Sequence, residues 1–172
     1  MSTATAAISR AEGIKRRYEQ GHERPLGSFL LIMGSYGTLV TTATAVLRRR
    51  GRRLPERIPL SDLALGAVAT HKMARLIAKD PVTSPFRAPV TKFEGQSGEA
   101  EVAEEVVGTG LQHAIGDLVS CPFCLDVWVA TSFVVGYVAK PRLARTVAGM
   151  LSMVAVADVL QFGYDALQAT AD

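Results

Sequence analysis

The sequence predicts an all-α integral membrane protein with three or four membrane-associated helices, the last two forming a C-terminal helical hairpin. Three observations predict it. From Pro25 to Leu47 there are 23 residues without a charge, and a hydrocarbon core about 30 Å thick needs roughly 20 helical residues to cross. Residues 118–139 carry one charge, Asp126, and 143–164 is apolar again apart from Arg145 and Asp158. The composition agrees: 20 % of residues are charged and the mean hydropathy is +0.20, against about 25 % charged in an average soluble domain. Such a chain is too apolar to be disordered, and two cysteines in 172 residues exclude a disulfide-stapled mini-protein.

Residues 1–24 read as a basic amphipathic arm. Ala7, Ile8, Ala11, Ile14 and Tyr18 fall near one helical face, Arg10, Lys15, Arg16 and Arg17 lie elsewhere, and Gly21 ends the pattern. The arm either lies on the membrane surface or docks a partner. The membrane domain, 25–172, follows with helices at about 25–47, 60–79, 121–139 and 142–164 and a polar acidic loop at 80–118. The 25–47 run is too long for a signal peptide and has no small-residue cleavage site after it. Gly37, Thr41 and Ala45 repeat every four positions along it, a spacing that lets a second helix approach.

Charge is strongly asymmetric. Residues 1–57 hold eleven Lys/Arg against four acids, and 80–118 hold two against seven. Arg48, Arg49, Arg50, Arg52, Arg53 and Arg57 form one dense run directly after the first span. Beside a membrane helix each basic residue is worth about 1 kcal/mol toward anionic lipid headgroups. The run has no interleaved aromatic and no base-reading module around it, so no nucleic-acid partner is expected.

The 60–79 segment is apolar in its first half and carries His71, Lys72, Arg75 and Lys79 in its second. It reads as a span with a snorkelling basic end or as an interfacial helix, with Lys72 among the lipid-binding bases. If it crosses, Lys/Arg divide ten to nine between the two sides. If it lies on the surface they divide eleven to eight, and the positive-inside rule favours a cytoplasmic 80–118 loop. In the final hairpin Lys140-Pro141-Arg142 forms the turn, proline being free of cost in a first helical turn, and Trp128 and Tyr137 are candidates to mark the two interfaces.

Two segments carry candidate chemistry. In Arg75-Leu-Ile-Ala-Lys-Asp80-Pro-Val-Thr83-Ser-Pro85-Phe-Arg87-Ala-Pro89, Asp80-Pro81 stops the preceding helix, and prolines 81, 85 and 89 favour an extended path. Arg87 is expected to pair with Asp80 or to fork onto carbonyls at a helix end. The alternative is an anion or headgroup site built from Arg75 and Arg87. In Cys121-Pro-Phe-Cys124 the sulfurs lie within disulfide reach at a helix start, where the helix dipole stabilises a thiolate. Structural thiols or a structural disulfide, thiol–disulfide exchange and metal binding all remain open. Zinc wants four N/S ligands, so Cys121 and Cys124 would need His113 and His71, a carboxylate such as Asp117, or a second subunit. No resident cofactor is expected otherwise. Asp158, inside the last apolar helix, costs about 2.5–3.5 kcal/mol on insertion scales and therefore wants a partner, with His71 or a base of the 60–79 helix in view. The acidic residues Glu94 to Glu105 read as a solvated loop, with Ala100–Val107 a candidate short helix. No phosphate-cradling loop, serine-triad spacing or H-E-x-x-H helix is present.

The pattern Arg75, Leu76, Asp80, Thr83, Pro85, Arg87, followed by Cys121, Cys124 and Trp128, resembles the bacterial membrane family catalogued as domain of unknown function 1360, over about residues 60–140. The resemblance implies a helical membrane protein with no assigned reaction, and relatives in spore-forming bacteria are named sporulation proteins. Many members carry glycine where this chain has Asp126. The leading expectation is a non-enzymatic component that assembles with itself or with other membrane proteins. A membrane thiol oxidoreductase using Cys121 and Cys124, and a metal- or anionic-lipid-binding accessory protein, are the alternatives.

Overall fold

A computed structural model of the chain describes residues 3–20 and 24–170. The elements run α1 (Thr3–Glu19), α2 (Leu26–Arg49), α3 (Leu60–Lys79), a 3₁₀ turn (Pro81–Thr83), α4 (Ser84–Arg87), β1 (Thr91–Gly98), β2 (Glu101–Val106), α5 (Gly110–Ser120), α6 (Pro122–Ala139) and α7 (Pro141–Ala169). Gly21, expected to end the first helix, lies outside the described residues. Three helices, α2, α6 and α7, are long and apolar enough to cross a membrane, so the chain is an all-α membrane protein with one small sheet.

Charge-free length makes α2 a helix, and Gly51 turns the chain out of it. At φ +69° this residue occupies the left-handed region that only glycine enters cheaply, and Arg52 N–H then returns to Leu47 O at 2.9 Å. The single-residue turn at Lys140 joins α6 to α7. Gly136 lets the two approach: a Cβ there would lie 3.1 Å from the Ala144 Cβ.

Side-chain contacts give the directions of the helices. At one end of α3, Asp62 meets Arg145 of α7 and Gly66 lies against the Tyr137 hydroxyl of α6. Further along, Ser152 Oγ donates to Leu65 O at 3.2 Å and Lys72 reaches Asp158. At the other end Ala74 and Ala78 pack on Leu125, in the first turn of α6. Helix α3 therefore runs parallel to α7 and antiparallel to α6, and matches α6 in depth from end to end. Helix α2 runs parallel to α6, since Arg24 pairs with Asp117 just before α6 and Tyr36 bonds to Thr131 at 2.7 Å. The Trp128 ring packs edge-on against Tyr36 with centroids 5.1 Å apart, and the Tyr137 hydroxyl is buried. Both aromatics thus sit in helix–helix contacts.

The core is built on small residues. Ala69 and Ala148 are fully buried among Val129, Phe133 and Leu151, so α3, α6 and α7 approach closely. This is how helices associate where lipid removes the hydrophobic drive between them.

The segment expected as an acidic loop is folded. β1 and β2 form an antiparallel hairpin with Thr91 opposite Val106 and Gly98 opposite Glu101, and β1 carries two bulges. Glu101–Val106 is a strand, which corrects the short helix expected over Ala100–Val107. The proline-rich stretch is a 3₁₀ turn and a helical turn instead of an extended path, because Pro81 and Pro85 each occupy first-turn positions where no N–H is needed. Helix α5 packs on the hairpin through Gly116, where a Cβ would clash with Val106 and lie 2.9 Å from Val90 O.

Candidate functional site

The Arg75–Arg87 motif is a clamp that fastens the hairpin to the end of α3. Helix α3 ends at Lys79 because Pro81 disfavours helical backbone at Asp80. The Asp80 carboxylate then caps the next turn, accepting from Val82 N–H at 2.7 Å. The last carbonyls of α3 lack partners within the helix. Thr83 Oγ1 donates toward Leu76 O at 2.7 Å and Asp80 O at 2.9 Å, and Arg87 Nη1 donates to Ile77 O at 2.6 Å. Pro85 sets the one-turn helix that carries Arg87 back beneath α3.

Arg87 is the largest fully buried side chain. Its Nε donates to Glu104 Oε2 at 2.6 Å and its Nη2 to Glu104 Oε1 at 3.0 Å, while Nη1 also donates to Thr83 Oγ1 at 2.6 Å and Nη2 to Asp80 O at 3.1 Å. Of the two expectations for Arg87, the carbonyl fork is present. Its carboxylate is Glu104 of β2, not Asp80. Thr91 and Ser84 hydroxyls complete the Glu104 shell at 3.2 Å and 3.1 Å. Burial pushes the Glu104 carboxyl up, but hydrogen bonds and charge from Arg87, with the Ser84 and Thr91 hydroxyls, outweigh it and hold the group below the usual carboxylate range.

Arg75 makes a second fork onto Glu101, Nε to Oε1 at 2.8 Å and Nη2 to Oε2 at 2.5 Å. Both arginines are thus paired with the hairpin, Arg87 fully buried and Arg75 with its side chain 42 % exposed. Glu101 and Glu104, taken from the sequence as solvated, are the residues that reading missed. Lys72, expected among the lipid-facing bases, is taken up by Asp158 of α7 at 2.5 Å. Arg48, Arg49, Arg50, Arg52 and Arg53 are exposed at the opposite end of the bundle.

Cys121 and Cys124 pair as a disulfide across the start of α6. Cys121 is the N-cap, and its Sγ accepts from Cys124 N–H at 3.2 Å. His113 lies 3.6 Å from Asp117 within α5, and His71 faces cavities along α3. The residues considered for zinc are not gathered: among the described residues no three His, Cys, Asp or Glu side chains converge for a metal ion.

Two cavities flank α3. One, about 490 Å³, lies between α3 and α6 and is lined by Asp62, Thr70, His71, Asp126 and Tyr137 among apolar side chains. The other, about 980 Å³, lies between α3, α7 and the hairpin tip.

Comparisons with known proteins follow the same segments. The family model described as protein of unknown function, DUF1360, matches residues 65–164. A Bacillus subtilis (strain 168) protein named Sporulation protein YjcA is 26 % identical over 102 residues, which cover 58 % of this chain and 86 % of that relative. No solved structure matches.

Proposed function

Since the chain belongs to the DUF1360 family, described as protein of unknown function, we propose a role read from its surfaces: a non-enzymatic multi-pass membrane component that assembles with itself or with other membrane proteins. The observation that carries this reading is the bareness of α2. Leu30, Leu31 and Met33 are each about two-thirds exposed, and a Cβ at Gly34 or Gly37 would meet nothing within 4 Å. The Gly37-Thr41-Ala45 face is therefore free to receive another helix. The relative's name, a sporulation protein, supports a cellular process as the setting.

Gly37→Leu is expected to lower the proximity signal between differently labelled copies in membranes, or between a copy and its partner, at least fivefold. Thermal stability should change by no more than about 0.5 kcal/mol, as for surface sites in general. An unchanged proximity signal would overturn the reading. Gly136→Leu is no substitute for this test, because that glycine is used within the α6–α7 contact.

In this reading α3 is a fourth crossing, because it shares the depth of α6. Lys/Arg then divide ten to nine, and the count that favoured a cytoplasmic 80–118 segment loses its basis. Thiol exchange is the second reading. Its support is the Cys121 N-cap, since an N–H directed at sulfur favours thiolate.

A further inference from the structure

We propose that the end of the bundle formed by the α2–α3 loop and the α6–α7 turn is a seat for the phosphates of anionic membrane lipids, with Arg48, Arg49, Arg50, Arg52, Arg53 and Arg57 as its principal guanidiniums. Helix α2 runs parallel to α6, so its last turn shares an end with Lys140 and Arg142. Arg145 meets Asp62, in the first turn of α3, at the same end. Residues 48–62 and 140–145 hold nine Lys/Arg against two acids, Glu56 and Asp62, a net of +7. The whole chain is +3, so everything else carries −4.

Nothing within the described residues uses these bases. Elsewhere the cations of the bundle are taken: Lys72 by Asp158, Arg75 by Glu101, Arg87 by Glu104 and Arg145 by Asp62. The side chains of the six loop arginines, with Lys140 and Arg142, make no hydrogen bond or ion pair among the described residues, and all eight residues are exposed. They do not serve as helix caps. The carbonyls of Val46, Leu47 and Arg48 already accept from the backbone N–H groups of Arg50, Gly51 and Arg52, at 2.9 to 3.1 Å. The dipole of α2 places only about half a negative charge at this end, far less than six guanidiniums offset. A dense set of unpaired like charges raises a positive potential that draws anions.

The position of the run selects the anion. Arg48 directly follows the charge-free stretch 25–47, so the guanidiniums stand where a span meets the headgroups. Gly51, at φ +69°, reverses the chain, and Arg52 and Arg53 thereby stay beside the end of the helix. Leu54 and Leu60, 52 % and 81 % exposed, lie among the bases and offer apolar contact to acyl chains beneath the phosphates. A guanidinium forks onto two phosphate oxygens, which a lysine ammonium does not. Juxtamembrane basic clusters of this size recruit anionic headgroups. The seat needs only α2 as a span, so it stands whether or not the bare face of α2 receives another helix.

The test reconstitutes the full-length protein in phosphatidylcholine vesicles carrying a trace of spin-labelled phosphatidylglycerol or spin-labelled phosphatidylcholine, and reads the motionally restricted fraction of each probe by electron spin resonance. Wild type is expected to retain the phosphatidylglycerol probe at least threefold more strongly than the phosphatidylcholine probe. Salt at about 1 M, where the Debye length is about 3 Å, should at least halve that preference. The combined variant Arg48→Gln, Arg49→Gln, Arg50→Gln, Arg52→Gln and Arg53→Gln should lower it below twofold, while Arg10→Gln, Arg16→Gln and Arg17→Gln in α1 should leave it at the wild-type value. Equal retention of the two probes by wild type would overturn the proposal, as would a preference indifferent to salt, a reading that needs no variant to fold. A preference kept by the five-arginine variant, or lost in the α1 variant, would also overturn it. Displacement of the probe by inorganic phosphate or by a short oligonucleotide at constant ionic strength would assign the surface to a soluble polyanion and contradict a lipid seat.

Discussion

Arg87→Ala is expected to detach the hairpin from the bundle and to cost about 3–5 kcal/mol, the usual penalty for breaking a buried charge pair from one side. Arg87 and Glu104 side chains are 1 % and 5 % exposed, so removing the guanidinium strands a carboxylate away from water. It also leaves Ile77 O at the end of α3 with only the longer Thr83 hydroxyl contact at 3.3 Å. Limited proteolysis should cut within 91–106, and the thermal midpoint in detergent should drop. Arg87→Lys keeps the charge but cannot fork, so it should fall between alanine and wild type. Arg87→Met combined with Glu104→Leu should recover much of the loss, because no charge is then stranded. Acid acts on the same clamp. A carboxyl held low in the folded state adds stability that is complete above its ordinary value of about 4.3 and disappears as pH falls through the depressed one. The hairpin should therefore stay docked at pH 5 and loosen below about pH 4, with Glu104→Gln removing that dependence. A protein whose midpoint ignores Arg87→Ala would contradict the clamp.

Breaking the Lys72–Asp158 pair is expected to have the next largest effect. The partners lie on α3 and α7 within the depth of the spans, 21 % and 36 % exposed. In a bilayer an unpaired charge at such a position costs about 2.5–3.5 kcal/mol on insertion scales. Asp158→Ala and Lys72→Leu should each destabilise by about 2 kcal/mol, since snorkelling relieves part of that penalty. The double variant should lose less than the two singles together. A coupling of about 1–2 kcal/mol in a double-mutant cycle, read from detergent unfolding, is the expected result, and strict additivity would show that the pair is incidental.

Particular residues show what the sequence makes legible. The spans are plain because a charge-free run of 23 residues has few other uses, and the Lys140–Arg142 punctuation places the hairpin of helices. Asp158 announces that it needs a partner, since a charge inside an apolar helix must be offset, and Lys72 of the 60–79 helix supplies it. The β-hairpin is hidden. Glu101-Val-Ala-Glu-Glu-Val favours a helix by local propensity, and its strand state depends on Arg75 and Arg87, which are distant in sequence. A glutamate inside an acidic run looks like a solvated charge, so Glu101 and Glu104 give no local sign of being half of two ion pairs. The prolines mislead similarly: they are compatible with an extended path, and the structure uses them as first-turn residues.

The central claim is that lipid surrounds the bundle and that α3 crosses it beside α6. Single cysteines at Leu54 and Gln96, both exposed, in a background with Cys121→Ser and Cys124→Ser, test it through labelling of intact cells with a membrane-impermeant maleimide. One site, and only one, should label before lysis, with the other reacting once the membrane is opened. Labelling of both in intact cells, or of neither, would place the two segments on the same side and contradict the crossing.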